Sequence, residues 1–144
     1  MRHRWLAGAA MLAACAGGPP APGVQVRDGF LFAPVTMGEA AAYFTVVNRG
    51  AASDTLLSLA SPIAASVMVH RQVAGDGLSR MEHVAELAVA PGDSIVLAPG
   101  GLHAMLMTLD RLPVAGDSVP LTLRFARAGA ITVMVPVRDY GSVP

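Results

Sequence analysis

Val119-Pro120-Leu121-Thr122-Leu123-Arg124-Phe125-Ala126, a turn at Ala128-Gly129, then Ile131-Thr132-Val133-Met134-Val135-Pro136-Val137 is the stretch that decides the fold. In an extended chain successive side chains leave opposite faces. Leu121, Leu123 and Phe125 therefore share one face, with Thr122 and Arg124 on the other. Val133, Val135 and Val137 repeat the pattern against Met134, Pro136 and Arg138. The two strands are expected to form a C-terminal hairpin covering one edge of a core.

Working outward, the same grammar fills the chain. Further strands are predicted at Phe30–Val35, Ala41–Asn48, Thr55–Ser61, Ser66–Val73, Ser79–Val84, Ala85–Ala90, Ser94–Ala98 and His103–Leu109. Glycine and proline mark the turns between them, as at Gly75-Asp76-Gly77, Pro91-Gly92-Asp93 and Pro99-Gly100-Gly101. Short strands at this spacing, with no helical periodicity, predict an all-β sandwich or barrel. The 144 residues amount to one domain, with no internal repeat. Ten basic residues, all Arg, balance ten acidic ones, and only 14% of the chain is charged. No basic stripe exists to neutralise a phosphate backbone, which argues against nucleic-acid binding. A hydrophobic fraction of 53% excludes a disordered chain.

The N-terminus reads as a processing segment. Met1-Arg2-His3-Arg4 is a positive leader, Trp5 to Ala14 is apolar, and small residues follow. Leu12-Ala13-Ala14-Cys15 has the form of a lipobox, which assigns 1–14 to a lipoprotein signal peptide and Cys15 to lipidation. The other reading is an ordinary cleavage site with a stray thiol. Cys15 is the sole cysteine, so no intramolecular disulfide is possible, and a free exported thiol would be a liability. Residues 15–23 read as a flexible tether, 24–138 as the domain and 139–144 as a tail. The expectation is an exported, monomeric domain, held on a membrane by lipid and facing the periplasm or the exterior.

The chain contains no GxSxG, HExxH or phosphate-cradling loop, and Ser53-Asp54 and Ser66 have no base nearby in sequence. His and Met placement says more. Past residue 14 the histidines are 70, 83 and 103, and the methionines are 37, 68, 81, 105, 107 and 134. His103-Ala104-Met105 puts an imidazole and a thioether on one strand face, roughly 6.5–7 Å apart at Cα. His70 lies within another predicted strand, and Met81 follows it across a short loop. Two imidazoles and two thioethers carry no net charge and suit a soft, monovalent ion such as Cu(I). In an oxidising compartment they also avoid the disulfide hazard of a cysteine pair. Methionine is equally an ordinary core filler, so Met81 and Met105 as packing residues is the competing reading. His83 shares Met81's face and reads as a surface residue, Met68 and Met107 as packing around the site, and Met37 and Met134 as structural.

The spacing His70-x10-Met81-x21-His103-x-Met105 resembles the signature of the periplasmic copper chaperones called PCuAC. Ala42–Gly50, Ser61–His70, Pro99–Met107 and the closing Gly116–Val135 region are also similar to that family, covering about residues 24–138. The resemblance implies a cupredoxin-like antiparallel Greek-key β-sandwich. It implies a Cu(I) site of His70, Met81, His103 and Met105, and delivery of copper to an acceptor such as a cytochrome c oxidase subunit or an assembly factor. Arg71 stands where many relatives have Met, and the tail Asp139–Pro144 lacks the His and Met that some relatives carry. The expected function is a non-enzymatic, lipid-anchored Cu(I) metallochaperone. The rivals are a copper-sequestration lipoprotein for tolerance and a structural lipoprotein without metal.

Overall fold

A computed structural model of the protein describes residues 23–142. The leader, Cys15 and most of the tether lie outside the described residues. Ten strands run through the rest: β1 Val24–Phe32, β2 Glu39–Asn48, β3 Asp54–Ala60, β4 Ala64–Gly75, β5 Leu78–Val84, β6 Leu87–Val89, β7 Ser94–Leu97, β8 Leu102–Leu109, β9 Ser118–Phe125 and β10 Gly129–Arg138. A single 3-10 turn, Tyr140–Ser142, follows. Among the described residues no helix is long and apolar enough to cross a membrane.

The strands hydrogen-bond in the order β5-β4-β8-β2-β1-β10-β9-β3-β6. A further pairing, Leu59 with Val67, joins β3 to β4 and closes the sheet on itself. β2 divides its partners, using Glu39 to Ala42 against β8 and Phe44 to Val47 against β7. The all-β, cupredoxin-like architecture expected from the sequence is what forms. Inside it, Leu31, Phe44, Val46, Leu106, Leu121, Leu123 and Val135 are almost fully buried. Leu121, Leu123 and Phe125 face this core, and Thr122 and Arg124 do not, as their alternation dictates.

Three details depart from the sequence reading. The β9–β10 hairpin covers no edge: β9 pairs with β3, and β10 pairs with β1. Alternation reveals which face of a strand is buried but says nothing of which strands flank it. The β1–β10 pair is also parallel, the exception in an otherwise antiparallel sheet. Finally, β1 begins at Val24, well before Phe30. Its register against β2 slips by one residue between Arg27 and Phe30, where Asp28 takes φ 57°. This bulge lets Val24 and Val26 turn inward before it and Leu31 after it, breaking the simple two-residue period.

Asp54 fastens the start of β3 to the β9–β10 turn. Its carboxylate accepts the backbone N–H groups of Thr55, Arg127 and Ala128, each at 2.8 Å. Burial alone would raise its pKa, but those three amides and the nearby Arg127 guanidinium outweigh it and hold it below 3.8.

Candidate metal centre

β5, β4 and β8 lie side by side and antiparallel, so their register fixes which side chains meet. In β8 Ala104 and Leu106 point into the core, which turns His103, Met105 and Met107 outward. In β4 Val67 and Val69 point inward, leaving Met68 and His70 outward. The register pairs His70 with His103 and Met68 with Met105. On the other flank it pairs His70 with His83 and Gln72 with Met81. Paired residues in an antiparallel sheet share a face. All four residues of the expected ligand set therefore stand on one outer surface.

The structure sets two of them, His70 and His103, side by side, with Met105 and Met81 diagonal to His70 on its two neighbouring strands. The His70 and His103 rings are 6.0 Å apart between centroids and nearly perpendicular, at 85°. Met105 is two residues beyond His103 on the same face. Met81 lies one strand farther out, diagonal to His70 on the β4–β5 hairpin, and is 53% exposed. Met68, read from sequence as packing around the site, is 42% exposed and directly opposite Met105. Arg71 pairs with Leu102, on the alternate face from His70, so it does not disturb the set.

The imidazoles are held ready to donate lone pairs. His103 is only 4% exposed although it faces outward. Its Nδ1 lies 3.1 Å from the Gly101 carbonyl, a contact that needs Nδ1 to carry the proton and donate it. Nε2 is then left with an unshared pair, and it is buried without any hydrogen-bond partner. Such a second contact orients a metal-ligating imidazole and fixes its tautomer. His70 Nδ1 is likewise buried and unpartnered. Leaving a polar atom so costs on the order of 1–3 kcal/mol each, an expense that a bound ion would relieve. Burial, then the charges of His103 and His83, push the His70 pKa below its ordinary value, against a smaller opposing pull from Glu39. The ring therefore stays neutral, and able to bind a metal, to lower pH than a free imidazole.

Among the described residues no group of three or more His, Cys, Asp or Glu is placed to hold a metal ion. The side-chain donors nearest to His70 and His103 on this face are thioether sulfurs, which suit soft metals. On the far side of β8 an aromatic wall rises. Tyr43 follows Ala42, the partner of Ala104, and so stands level with His103. Phe30 and Phe32 contact Tyr43, and Tyr140 from the C-terminal turn stacks on Phe32 at 4.5 Å. The tail is thus packed onto the wall as far as Tyr140.

Residues 24–137 match the profile of the LpqE-like family, which is named for lipoproteins. The chain belongs to the LpqE-like family. A relative named as a lipoprotein, Lxx21020 of Leifsonia xyli subsp. xyli, is 34% identical over 124 residues, covering 85% of this chain and 74% of its own. Among solved structures, the copper-bound PCuAC domain from PmoF2 superposes with a TM-score of 0.69 at 25% identity, covering 81% of this chain and 92% of its own. The Cu(I) form of DR1885 from Deinococcus radiodurans gives 0.63 at 28% identity, covering 88% and 84%. This member of the LpqE-like family therefore has the PCuAC fold, which the motif spacing had already suggested.

Proposed function

We propose that this protein is a Cu(I) carrier of the cell envelope that holds the ion through His70, Met81, His103 and Met105 and passes it to a copper-accepting protein. The observation that carries the reading is the pair of buried, unpartnered nitrogens on His70 and His103, side by side on a face rich in thioethers. Copper in two structures of the same fold supports it. The chemistry is ligand exchange without turnover: neutral donors grip a soft ion, and an acceptor's donors replace them one at a time. The exposure of Met81 suits this role, because the first acceptor ligand needs an accessible donor to displace. The resemblance to PCuAC points to a cytochrome c oxidase subunit or an assembly factor as recipient.

The test is an anaerobic titration of the apo-protein with Cu(I) against a chromogenic chelator. One tight equivalent is expected. Met81→Leu and Met105→Leu each conserve volume, so the fold should survive while affinity falls at least about tenfold. Unchanged affinity in both would mean that Met81 and Met105 only pack and do not hold the ion, and no tight equivalent in the wild type would leave a structural lipoprotein.

Anchoring through Cys15, with residues 1–14 removed as a signal peptide, completes the proposal. The family's lipoprotein name supports it. Cys15→Ser is expected to move the protein from the membrane to the soluble envelope fraction, read by fractionation and blotting. Retention on the membrane would contradict lipidation.

A further inference from the structure

The outer face carries more soft donors than the proposed site uses. Each of the three neighbouring strands presents one imidazole and one thioether two residues apart: His103 and Met105 on β8, His70 and Met68 on β4, His83 and Met81 on β5. The imidazoles form a single row, with His70 midway. Its ring lies 6.0 Å from His83 at 84°, matching its 6.0 Å and 85° to His103. Exposure rises along that row, from buried His103 through half-buried His70 to exposed His83. β5, which bears His83, is an outer strand that pairs with β4 alone.

Met68 and His83 are the donors beside His70 that the four-ligand set leaves unused; the remaining thioether of this face, Met107, stands farther along β8 opposite Ser66. Met68 and His83 both border one cleft of about 170 Å³, which opens between β3 and the β4–β5 pair and has Glu86 on its rim. A second cleft, next to Met105, is lined by Phe32, Glu39 and Tyr140 and offers no other soft donor.

From this arrangement we infer that Met68 and His83 form a transit position for Cu(I), through which the ion leaves the resting site toward the edge strand. The inference rests on the proposed Cu(I) function and extends it. A neutral imidazole has one lone pair to give, so His70 serves one ion at a time and acts as a pivot. The ion exchanges the His103 nitrogen and Met105 sulfur for the His83 nitrogen and Met68 sulfur. It remains Cu(I) throughout; two dative bonds form as two break, and no proton or electron moves. The aromatic wall of Tyr43 and Phe30 stands on the opposite side of His103, so the row of imidazoles continues only toward β5.

The experiment uses the full-length protein loaded with one Cu(I) and compares the wild type with Met68→Leu/His83→Asn. Equilibrium affinity should stay within a few-fold, while stopped-flow removal of copper by excess bathocuproine disulfonate slows several-fold. In a His103→Ala background, where the resting site is broken, the same two substitutions should remove the residual Cu(I) binding. Wild-type removal rates in the double variant would overturn the transit position. So would loss of the tight equivalent, which would place Met68 and His83 within the resting site. If the wild type takes up no Cu(I), the carrier reading itself has failed, a result separate from either of these.

Discussion

Replacing His103 with alanine is expected to weaken Cu(I) binding by more than about 100-fold, exceeding what loss of a mere supporting contact costs a metal site. The reasoning starts from the ring's two nitrogens. Nδ1 is committed to the Gly101 carbonyl, so Nε2 must be the donor atom, and nothing else in the fold uses it. Among the described residues, His103 is one of two imidazoles with a buried, unpartnered nitrogen, and removing the ring deletes that potential donor. The same step should disturb folding little, because His103 projects from the outer face and the core residues Ala104 and Leu106 beside it are untouched. Competition titration gives the affinity and a thermal melt gives the stability. Affinity within a few-fold of wild type would show that the ion, if bound, sits elsewhere.

The largest stability effect is expected at Asp54. Its carboxylate satisfies three backbone N–H groups at once, two of them in the β9–β10 turn. Asp54→Ala strands those donors near the base of β3 and should cost about 2–3 kcal/mol, a fall in Tm on the order of 10 °C for a domain of this size. The pH dependence follows from the direction of its pKa shift. A carboxylate whose folded pKa is lowered contributes its stability above the unfolded value of 3.8 and loses it as pH falls through the lower folded value. Melting curves of the wild type should therefore drop across that acid window, and those of Asp54→Ala should drop less. Equal slopes would mean that the amide contacts do not govern the acid response.

Much of the fold could be read locally because burial alternates along single strands. Leu121, Leu123 and Phe125 declare their shared face without help from any other segment, and the glycines at 77, 92, 116 and 129 take the positive φ that their turns require. The failures occurred where information passes between strands. Val24 and Val26 point inward on the opposite parity from Leu31, and only the bulge at Asp28 reconciles them. The position of β10 between β1 and β9 depends on a parallel pairing between the two ends of the domain, which no local pattern announces.

The candidate site divides in the same way. His103 and Met105 share a face by their spacing alone, so that part was legible. That His70 pairs with His103, and Met68 with Met105, is a matter of register between distant segments. This is why Met68 and His83 looked dispensable in the sequence and stand in the fold on the same outer face as the four expected ligands. In the sequence Asp54 stands beside Ser53 with no base nearby, and nothing there marks its structural role. Two of its three partners are backbone amides more than seventy residues away, and side-chain spacing cannot signal those.

The course of the first strand bears on how the molecule would stand on a bilayer. β1 begins at Val24, just beyond the proposed tether, and reaches the level of His103 and Met105 only near Phe30 and Phe32. Six residues of extended chain cover about 20 Å. With lipid on Cys15 and Cu(I) at the proposed site, the anchor would join the domain at the end away from the ion, leaving the copper free to meet whatever approaches from the aqueous side.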